Sequence, residues 1–413
     1  MSSGVVQVRI SGSSVRAMAA VLLASLLAGC ATLLPRDAVS QAASNSATLP
    51  GMAYVRFWGD VVPHNSAAAI RSRMPNLGPA AYSTDPQTGR PLVQFLALSG
   101  GGADGAYGAG LLVGWSRTGK RPRFEVVTGI SAGALIAPFA FLGPAYDRQL
   151  KDIWTNYGTD DLIVKQPLNG ILGGPALADV TPLSNLLDRY VNARMLRAIA
   201  AEYRKGRLLL VGTTNLDAQR PVIWNMGEIA ASGHPKALEL FRNVLLASSA
   251  IPGAFPPVQI EVEADGKMHD EMHVDGGVSR EVFLTPAQFS MHDLDKLYPA
   301  TPVRRIYIIK NGPIKAQYQV VQPTAVAIAA RSIYTLIKAQ AAGDLFKIYI
   351  NAQNDGAEFY LAAKPETAVQ TSQEPFDKDY MRKLFQTGYG QAARGYQWMT
   401  APPELAPSGT ASQ

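Results

Sequence analysis

The chain has 413 residues, of which 47% are hydrophobic and 17% charged, and its formal net charge is +6. This length exceeds one typical core but suits a single large α/β domain with additions. The positive charges form no Lys/Arg block of the kind that follows a phosphate backbone, so no nucleic-acid partner is expected, and the mild surplus fits an anionic lipid surface better. No cluster of His, Cys and Asp has metal-ligand spacing, and we expect neither a metal nor another cofactor.

The N-terminal region predicts a secretory signal peptide over residues 1–29. Arg9 and Arg16 precede the apolar run Ala17–Leu27, which is too short to span a membrane. Cys30 is the only cysteine, so no intramolecular disulfide can form. Because it directly follows Leu-Ala-Gly, this cysteine resembles that of the bacterial lipobox, where it is lipidated and becomes the mature N-terminus. The alternative is an ordinary cleavable signal with an incidental cysteine.

The apolar runs and turn residues predict alternating strands and helices. Strands are predicted at Leu92–Leu98, Phe124–Thr128, Arg207–Gly212 with a partner at Pro221–Trp224, Arg304–Lys310, Phe346–Ile350 and Glu358–Leu361. A hairpin is predicted where Val258–Val262 and Met268–Val274 flank Glu-Ala-Asp-Gly-Lys. Helices are predicted at Gly105–Ser116, Ala132–Phe141, Thr181–Val191, Ala193–Tyr203, Pro235–Ala247, Ala325–Gln340 and Asp377–Ala393. This order indicates an α/β fold with a mainly parallel sheet covered by helices on both faces, and with functional loops at the carboxyl ends of the strands.

A glycine-rich segment, Leu-Ser-Gly-Gly-Gly-Ala-Asp-Gly, follows the first predicted strand and opens a helix. It offers a row of backbone N–H groups at a helix N-terminus, where negative charge is stabilised. Gly100, Gly102 and Gly105 also satisfy G-x-G-x-x-G, the dinucleotide fingerprint. That alternative needs an acid at the end of the second strand, whereas Glu125 stands at its start. A purely structural glycine turn is a further alternative.

The second motif is Gly-Ile-Ser-Ala-Gly, in which Ser131 stands between Gly129 and Gly133. It fits the G-x-S-x-G nucleophile elbow, a strained strand-to-helix turn whose glycines let neighbouring backbone approach closely. A nucleophile and an anion cradle are the two parts that acyl transfer needs. The two motifs together therefore predict a serine esterase.

A serine nucleophile needs a base, and histidine is the usual one. None of the five histidines stands in a glycine-dominated turn at a strand end: His64, His234, His269, His273 and His292. Asp275 does, because the run His-Val-Asp-Gly-Gly ends a predicted strand and enters such a turn through Gly276 and Gly277. Taken alone, Asp-Gly-Gly is more often a plain turn.

The three motifs in this order resemble those of the patatin-like phospholipases. The intervening segment from Ala247 to Pro257, Ala-Ser-Ser-Ala-Ile-Pro-Gly-Ala-Phe-Pro-Pro, is similar to a stretch that this family carries between its serine and its aspartate. The resemblance covers residues 92–280 and, with the lipobox-like Cys30, indicates a bacterial lipoprotein member. It implies the patatin-like Ser-Asp hydrolase fold, a phospholipid or lysophospholipid substrate, and no catalytic histidine.

Carried over residue by residue, the resemblance makes Ser131 the nucleophile and Asp275 its base. It assigns the backbone amides of Gly101, Gly102 and Ala103 to the oxyanion hole. The remaining motif glycines are Gly100, Gly105, Gly129, Gly133, Gly276 and Gly277. One position departs from the family, since many members have Arg or Lys where this chain has Asp104; an acid in the first turn of a helix is itself favourable.

The resemblance also implies a division of the chain. The expected parts are a signal peptide at 1–29, a lipidated cysteine with a flexible tether at 30–50, an N-terminal extension at 51–91, a catalytic domain at 92–280, a C-terminal α/β extension at 281–400 that completes or covers the domain, and a disordered tail at 401–413. Alanine rather than aspartate after the lipobox cysteine favours the outer membrane of a Gram-negative envelope.

Three classes of function remain. The first is a lipid acyl hydrolase of phospholipase A or lysophospholipase type. The second is a conventional Ser-His-Asp carboxylesterase with His292 or His273 as its base. The third is a catalytically idle envelope lipoprotein that keeps the fold for binding.

Overall fold

A computed structural model describes residues 36–61, 82–166, 174–284, 290–372 and 374–403. The predicted signal peptide, the lipobox cysteine Cys30, His64 and most of the predicted tail lie outside the described residues. Within the described residues, no helix is long and apolar enough to cross a membrane.

The described strands form one large sheet and a small two-stranded one. The strands are β1 Arg56–Trp58, β2 Ser83–Thr84, β3 Pro91–Leu98, β4 Val126–Ile130, β5 Val164–Lys165, β6 Ala178–Asp179, β7 Leu208–Asn215, β8 Arg220–Asn225, β9 Val258–Ala264, β10 Lys267–Asp275, β11 Val303–Lys310 and β12 Glu358–Ala363. The main path of the large sheet runs β1-β8-β7-β4-β3-β11-β12, while β5 pairs only with β6. From β7 to β12 all neighbours on this path are parallel, and the pairs at the β1 end are antiparallel.

Helices cover both faces of this sheet. They are α1 Gly105–Arg117, α2 Ala132–Leu142, α3 Asp147–Asn156, α4 Thr159–Leu162, α5 Thr181–Tyr190, α6 Ala193–Arg204, α7 Met226–Ala231, α8 Ala237–Ser248, α9 Ala325–Asn354 and α10 Lys378–Ala393. Side chains alternate along β3, so Leu96 and Leu98 join one core cluster while Val93 and Phe95 join the other. The predicted α/β fold with helices on both faces is confirmed.

The edge of β7 determines where the site forms. Its residues 208–212 pair in parallel with β4, ending with Ile130 opposite Gly212. The antiparallel β10 continues along β7, with Asp275 opposite Thr213. Because β8 pairs with residues 210–215 of β7, β4 and β10 must share its other edge. The last residues of β4 and β10 therefore meet end to end.

The predicted hairpin is confirmed, and its turn explains the register. Asp265 and Gly266 join β9 to β10 with φ angles of 51° and 71°. Positive φ at both central residues is the type I′ geometry that matches the twist of paired strands.

The predicted strand Phe346–Ile350 is wrong, because these residues belong to α9. The apolar run has aromatic and branched residues that suit a strand, but Ala341, Leu345, Ile348 and Ala352 recur at helical spacing and are all buried. Leu345, Ile348 and Ala352 pack into the core cluster that also contains Phe359 of β12.

The predicted tether, residues 30–50, is described from residue 36, and this part packs on the hairpin instead of standing free. The amide of Asp270 donates to the carbonyl of Asp37 at 2.7 Å, and Thr48 bridges to Glu263. Leu49 is buried in the main core. The chain therefore joins the domain well before residue 50.

Three glycines bring α1 and α10 into close contact. A Cβ on Gly110 would lie 2.0 Å from the Phe385 carbonyl oxygen, and one on Gly388 would lie 2.3 Å from that of Tyr107. Gly114 meets the Tyr389 carbonyl in the same way, at 2.3 Å. The glycine content of α1 thus serves helix packing as well as the loop that precedes it.

We expect Gly110→Ala to lower the free energy of unfolding by about 1–3 kcal/mol, because the added methyl forces α1 and α10 apart. Gly343→Ala is the matched control, since Gly343 also lies inside a helix but a Cβ there meets no atom within 4 Å. The control should be neutral or stabilising by up to about 1 kcal/mol. Denaturant unfolding of both variants measures the difference, and equal stabilities would contradict the packing role.

Candidate active site

Ser131 occupies a strained turn between β4 and α2. Its φ of 52° and ψ of −123° are unusual for a residue with a side chain. The flanking glycines are required, because a Cβ on Gly129 would lie 2.5 Å from the Gly133 carbonyl oxygen, and one on Gly133 would lie 2.3 Å from that of Leu98. The predicted elbow geometry is present, and 6% of Ser131 remains exposed.

Ser248 fixes the backbone of this turn. The Ser131 amide donates to Ser248 Oγ at 3.0 Å, and that hydroxyl donates onward to the Gly212 carbonyl at 2.7 Å. No role was predicted for Ser248. The one sequence feature that could have indicated a role is its place in the segment that resembles the stretch between the family's serine and aspartate.

Asp275 ends β10 beside the serine. Its carboxylate accepts a hydrogen bond from the Gly277 amide at 2.7 Å and interacts with the Ser131 hydroxyl. Burial raises the pKa of Asp275 to about 7, while the interactions with the Ser131 hydroxyl and the Gly277 amide oppose the rise and Glu281 adds to it. The carboxyl group thus combines contact with the serine hydroxyl and a pKa near neutrality.

The described histidines lie elsewhere in the fold. His273 is fully buried, with Nδ1 at 2.9 Å from Thr213 Oγ1 and Nε2 at 3.0 Å from Glu271 Oε2. Burial lowers the pKa of His273 although Glu271 opposes this. Glu271 also forms a buried ion pair with Arg56. Both ring nitrogens of His273 are therefore engaged in holding the hairpin to the sheet.

His292 is half exposed and lies 3.0 Å from Asp295. His269 lies beside Asp37, and His234 lies beside Gly51. In the part of the chain that the structure describes, Asp275 is the carboxylate beside the Ser131 hydroxyl, and no histidine hydrogen bond to that hydroxyl is present.

The glycine loop bends sharply to face the serine. Gly101 and Gly102 have φ angles of 148° and 53°, which favour glycine. The first amide hydrogen bond of the short 3₁₀ turn runs from Asp104 to the Gly101 carbonyl at 3.0 Å. The amides of Gly102 and Ala103 precede it, at the open N-terminal end where backbone donors lack helical partners. Gly102 lines the same pocket as Ser131.

Gly100 belongs to the support of the loop. Its amide donates to the Glu281 carbonyl at 3.2 Å, and a Cβ here would lie 2.7 Å from Glu281 Oε2. Glu281 in turn forms a buried ion pair with Lys310 at 3.1 Å. Asn311 holds the preceding residue, since its side-chain amide donates to the Ser99 carbonyl at 2.6 Å.

The remaining motif glycines make room for neighbouring elements. A Cβ on Gly105 would lie 2.3 Å from the Trp154 ring. One on Gly276 would lie 2.5 Å from the Gly212 carbonyl oxygen, and one on Gly277 would lie 2.9 Å from Glu281 Oε2. The Asp-Gly-Gly turn is therefore closely packed against β7 and the glycine loop.

Asp104, the residue that departs from the family pattern, has a buried cationic partner. Its carboxylate lies 2.8 Å from the Lys364 ammonium and accepts a hydrogen bond from the Tyr380 hydroxyl. Lys364 also donates to Tyr380 at 3.0 Å. An ion pair thus stands where many relatives have a basic side chain, and it links α1 to the segment after β12.

Glu125 does not fit the dinucleotide alternative. One of its carboxylate oxygens accepts from the Gln94 amide at 2.6 Å, and the other accepts from Ser83 at 3.3 Å. These contacts place it near the amino end of β3, opposite the end that carries the glycine loop. A ribose bound at that loop is out of its reach.

An apolar pocket starts at Ser131 and Gly102. Its walls come from α2, α3, α5 and the segments around Phe255 and Phe376, and they are almost entirely hydrophobic. Such a space suits a hydrocarbon chain. Within the described residues, no group of three or more His, Cys, Asp or Glu could hold a metal ion.

The sheet has helices on both faces, and a serine stands on a strand-to-helix elbow beside an apolar pocket. These features place the protein in the class of hydrolytic enzymes with an α/β fold. The family model of the patatin-like phospholipases matches residues 96–287. Residues 96–287 are therefore a patatin-like phospholipase domain, which is the domain of a lipid ester hydrolase.

Two solved structures are similar to this chain. VipD from Legionella pneumophila has 14% identity and a TM-score of 0.34, and the match covers 77% of this chain and 70% of that one. Human GIVD cytosolic phospholipase A2 has 12% identity and a TM-score of 0.35, with 82% and 65% covered. No curated protein matches the chain in sequence.

We expect Gly102→Val to lower turnover at least about a hundredfold, because valine disfavours the φ of 53° found here and a displaced amide no longer acts as an oxyanion donor, whose loss has an effect of this size. A Cβ on Gly102 meets no atom within 4 Å, so the fold should persist. Gly266→Val is the matched control, since Gly266 has a similar positive φ of 71° and equally open surroundings at the distal hairpin turn. Ester hydrolysis and thermal unfolding are measured for both. If both variants lost activity and folded protein to the same extent, the glycine loop would have a structural role only.

Proposed function

We propose that the chain is a serine acyl hydrolase of lipid esters, of phospholipase A or lysophospholipase type, that uses a Ser131–Asp275 dyad. The observation that carries this proposal is the placement of a serine on a strained elbow beside a buried carboxylate, where the strand that ends at Ile130 meets the strand that ends at Asp275. The family match of the domain supports the same class of reaction.

In the proposed reaction, Asp275 takes the hydroxyl proton while Ser131 Oγ attacks the ester carbonyl carbon. The amides of Gly101, Gly102 and Ala103 stabilise the oxyanion that forms. When the tetrahedral species collapses, the carbon–oxygen bond to the alcohol breaks and Asp275 returns the proton to the leaving oxygen. Water then attacks the acyl-enzyme with the same base and releases the fatty acid.

The pocket supports a lipid substrate. Leu135, Ile163 and Leu187 are among its walls, and nearly all of its surface is apolar. An acyl chain there would have its carbonyl carbon beside Ser131, while the alcohol portion would lie toward the mouth. Polar or charged acyl groups would lose hydration without compensating hydrogen bonds.

The dyad is tested with Ser131→Ala, Asp275→Asn and the double variant on a panel of phospholipids and lysophospholipids. Each single change should abolish hydrolysis, and the double change should do little further harm, because residues that act as a unit are not additive. A fluorophosphonate should label Ser131, and Asp275→Asn should slow this labelling.

The controls are single replacements of the histidines by alanine, each expected to keep substantial activity. A histidine variant as inactive as Ser131→Ala, beside a largely active Asp275→Asn, would favour the conventional triad. Absence of both labelling and hydrolysis in the folded wild-type chain would favour a catalytically idle lipoprotein.

The pH profile gives an independent test of Asp275 as base. The base must be deprotonated, and burial raises its pKa to about 7. We therefore expect kcat/KM for a soluble ester to rise with pH, to reach half its maximum near pH 7 and to level off above. A rate that is flat or falling between about pH 5 and 9 would contradict this assignment.

We further propose that Cys30 is lipidated and holds the enzyme at the cell envelope, in the outer membrane of a Gram-negative bacterium. The support is the order of the leader residues and the single cysteine directly after Leu-Ala-Gly.

We expect Cys30→Ala to remove metabolic palmitate labelling and to release the enzyme from salt-washed membranes, with ester hydrolysis intact. Ser131→Ala is the control and should stay in the membrane fraction while losing activity. If Cys30→Ala stayed in the membrane fraction after the salt wash, the lipoprotein proposal would be wrong.

A further inference from the structure

The segment between β11 and the middle of α9 has an unusual charge pattern. Residues 311–343 contain no aspartate or glutamate, whereas Lys315, Arg331 and Lys338 are all cations. The chain as a whole has 32 acidic residues, so an acid-free run of this length is a local feature.

This part of the chain is also poorly covered. None of the described side chains in residues 314–340, here called the exposed segment, is buried. Its large apolar residues include Tyr318 at 95% exposure, Val320 at 74%, Leu336 at 69% and Ile328 at 52%. Several large apolar side chains exposed within one segment point to an interaction site.

The exposed segment is held in a defined shape. Arg331 on α9 donates to the Gln317 carbonyl at 2.6 Å and to Gln319 Oε1 at 3.1 Å, and Lys338 donates to the Lys315 carbonyl. The loop is therefore bound along the first turns of α9. The helical part, residues 325–340, extends for about 24 Å at 1.5 Å per residue.

Both ends of the exposed segment lie at the active site. Asn311, just before it, contacts the glycine loop, since a Cβ on Gly101 would lie 2.9 Å from Asn311 Cβ. Near its other end, Ile337 approaches the turn after Asp275, where a Cβ on Gly277 would lie 3.7 Å from Ile337 Cγ2. An object bound to this segment would thus lie close to the glycine loop and to the turn after Asp275.

We propose that the exposed segment is the surface with which the enzyme docks on an anionic lipid bilayer. The segment has exposed apolar side chains and cations and no acid of its own, although Glu366 from outside it pairs with Lys315 at 3.2 Å. This composition matches an anionic membrane interface, where apolar groups enter the acyl boundary and cations add attraction. This inference rests on the proposed function only in taking the bilayer as the source of substrate. A second copy of the chain is the competing occupant, and the first experiment separates the two.

The first experiment follows the segment itself. All arms carry Cys30→Ala, which leaves the full chain free of cysteine and of an acyl anchor. A polarity-sensitive fluorophore is attached at Leu336→Cys or, as control, at Met268→Cys, an apolar residue with 48% exposure near the far end of β10. Each protein is mixed with vesicles of phosphatidylglycerol or of phosphatidylcholine.

We expect a blue shift at position 336 with phosphatidylglycerol vesicles, a smaller one with phosphatidylcholine, and none at position 268. No shift at 336, or equal shifts at both positions, would overturn the proposal. A shift at 336 that grows with protein concentration in the absence of vesicles would assign the surface to self-association instead.

The second experiment compares Ile328→Glu/Leu336→Glu with Met268→Glu. The double variant should weaken binding to phosphatidylglycerol vesicles at least about tenfold, while hydrolysis of a short soluble ester stays unchanged. Unchanged vesicle binding would overturn the proposal. If the wild-type chain hydrolysed no ester, the proposed function would be wrong. Vesicle binding and the fluorescence shift would still test whether the exposed segment docks on a bilayer.

Discussion

The site depends on one feature of strand pairing, the shared edge of β7. A parallel strand that arrives from one direction and an antiparallel strand that arrives from the other stop at consecutive positions, opposite Gly212 and Thr213. Ser131, directly after β4, and Asp275, the last residue of β10, are thereby brought together. A slip of one residue in either register would turn the side chain to the opposite face of the sheet. The pairing of the strands is therefore the main source of the geometry of the proposed dyad, and Ser248 fixes the turn at Ser131.

Burial then decides the chemistry of this contact. A carboxylate of ordinary pKa is a weak base toward a hydroxyl, and water would keep it so. Around Asp275 the loss of hydration outweighs the interactions with the Ser131 hydroxyl and the Gly277 amide, and the pKa moves to about 7. The Glu281–Lys310 pair behind the glycine loop is buried as a unit, so its two charges largely compensate each other within the protein. The same low dielectric strengthens backbone donors aimed at a developing oxyanion.

The parts of the site that sequence analysis predicted are those where a local backbone conformation demands glycine. Ser131 and Asp275 each stand next to such glycines, and the motifs are short. Ser248 and Lys364 carry no such local signal, because the groups they contact lie far away in the chain. For the same reason, the sequence predicted only a favourable place for Asp104 in the first turn of a helix, and its ion pair with Lys364 was not predicted. The sheet alternation was predictable from apolar runs, whereas Phe346–Ile350 was not, since a five-residue apolar run has no distinctive period and helical spacing emerges only over residues 341–352.

The glycine loop lies between two apolar features, and this arrangement bears on how a lipid would reach the proposed dyad. Gly102 faces the pocket, while Gly101 is backed by the buried Asn311, which lies just before the exposed segment. If an acyl chain had to cross water, exposure would cost about 0.8 kcal/mol for each CH₂ group, a prohibitive sum for a long chain. With the exposed segment in the acyl boundary of a bilayer, the chain would pass from one apolar medium to another at little cost. The pocket then needs to orient the ester more than to bind it tightly, which leaves interactions at the glycine loop to act on the transition state.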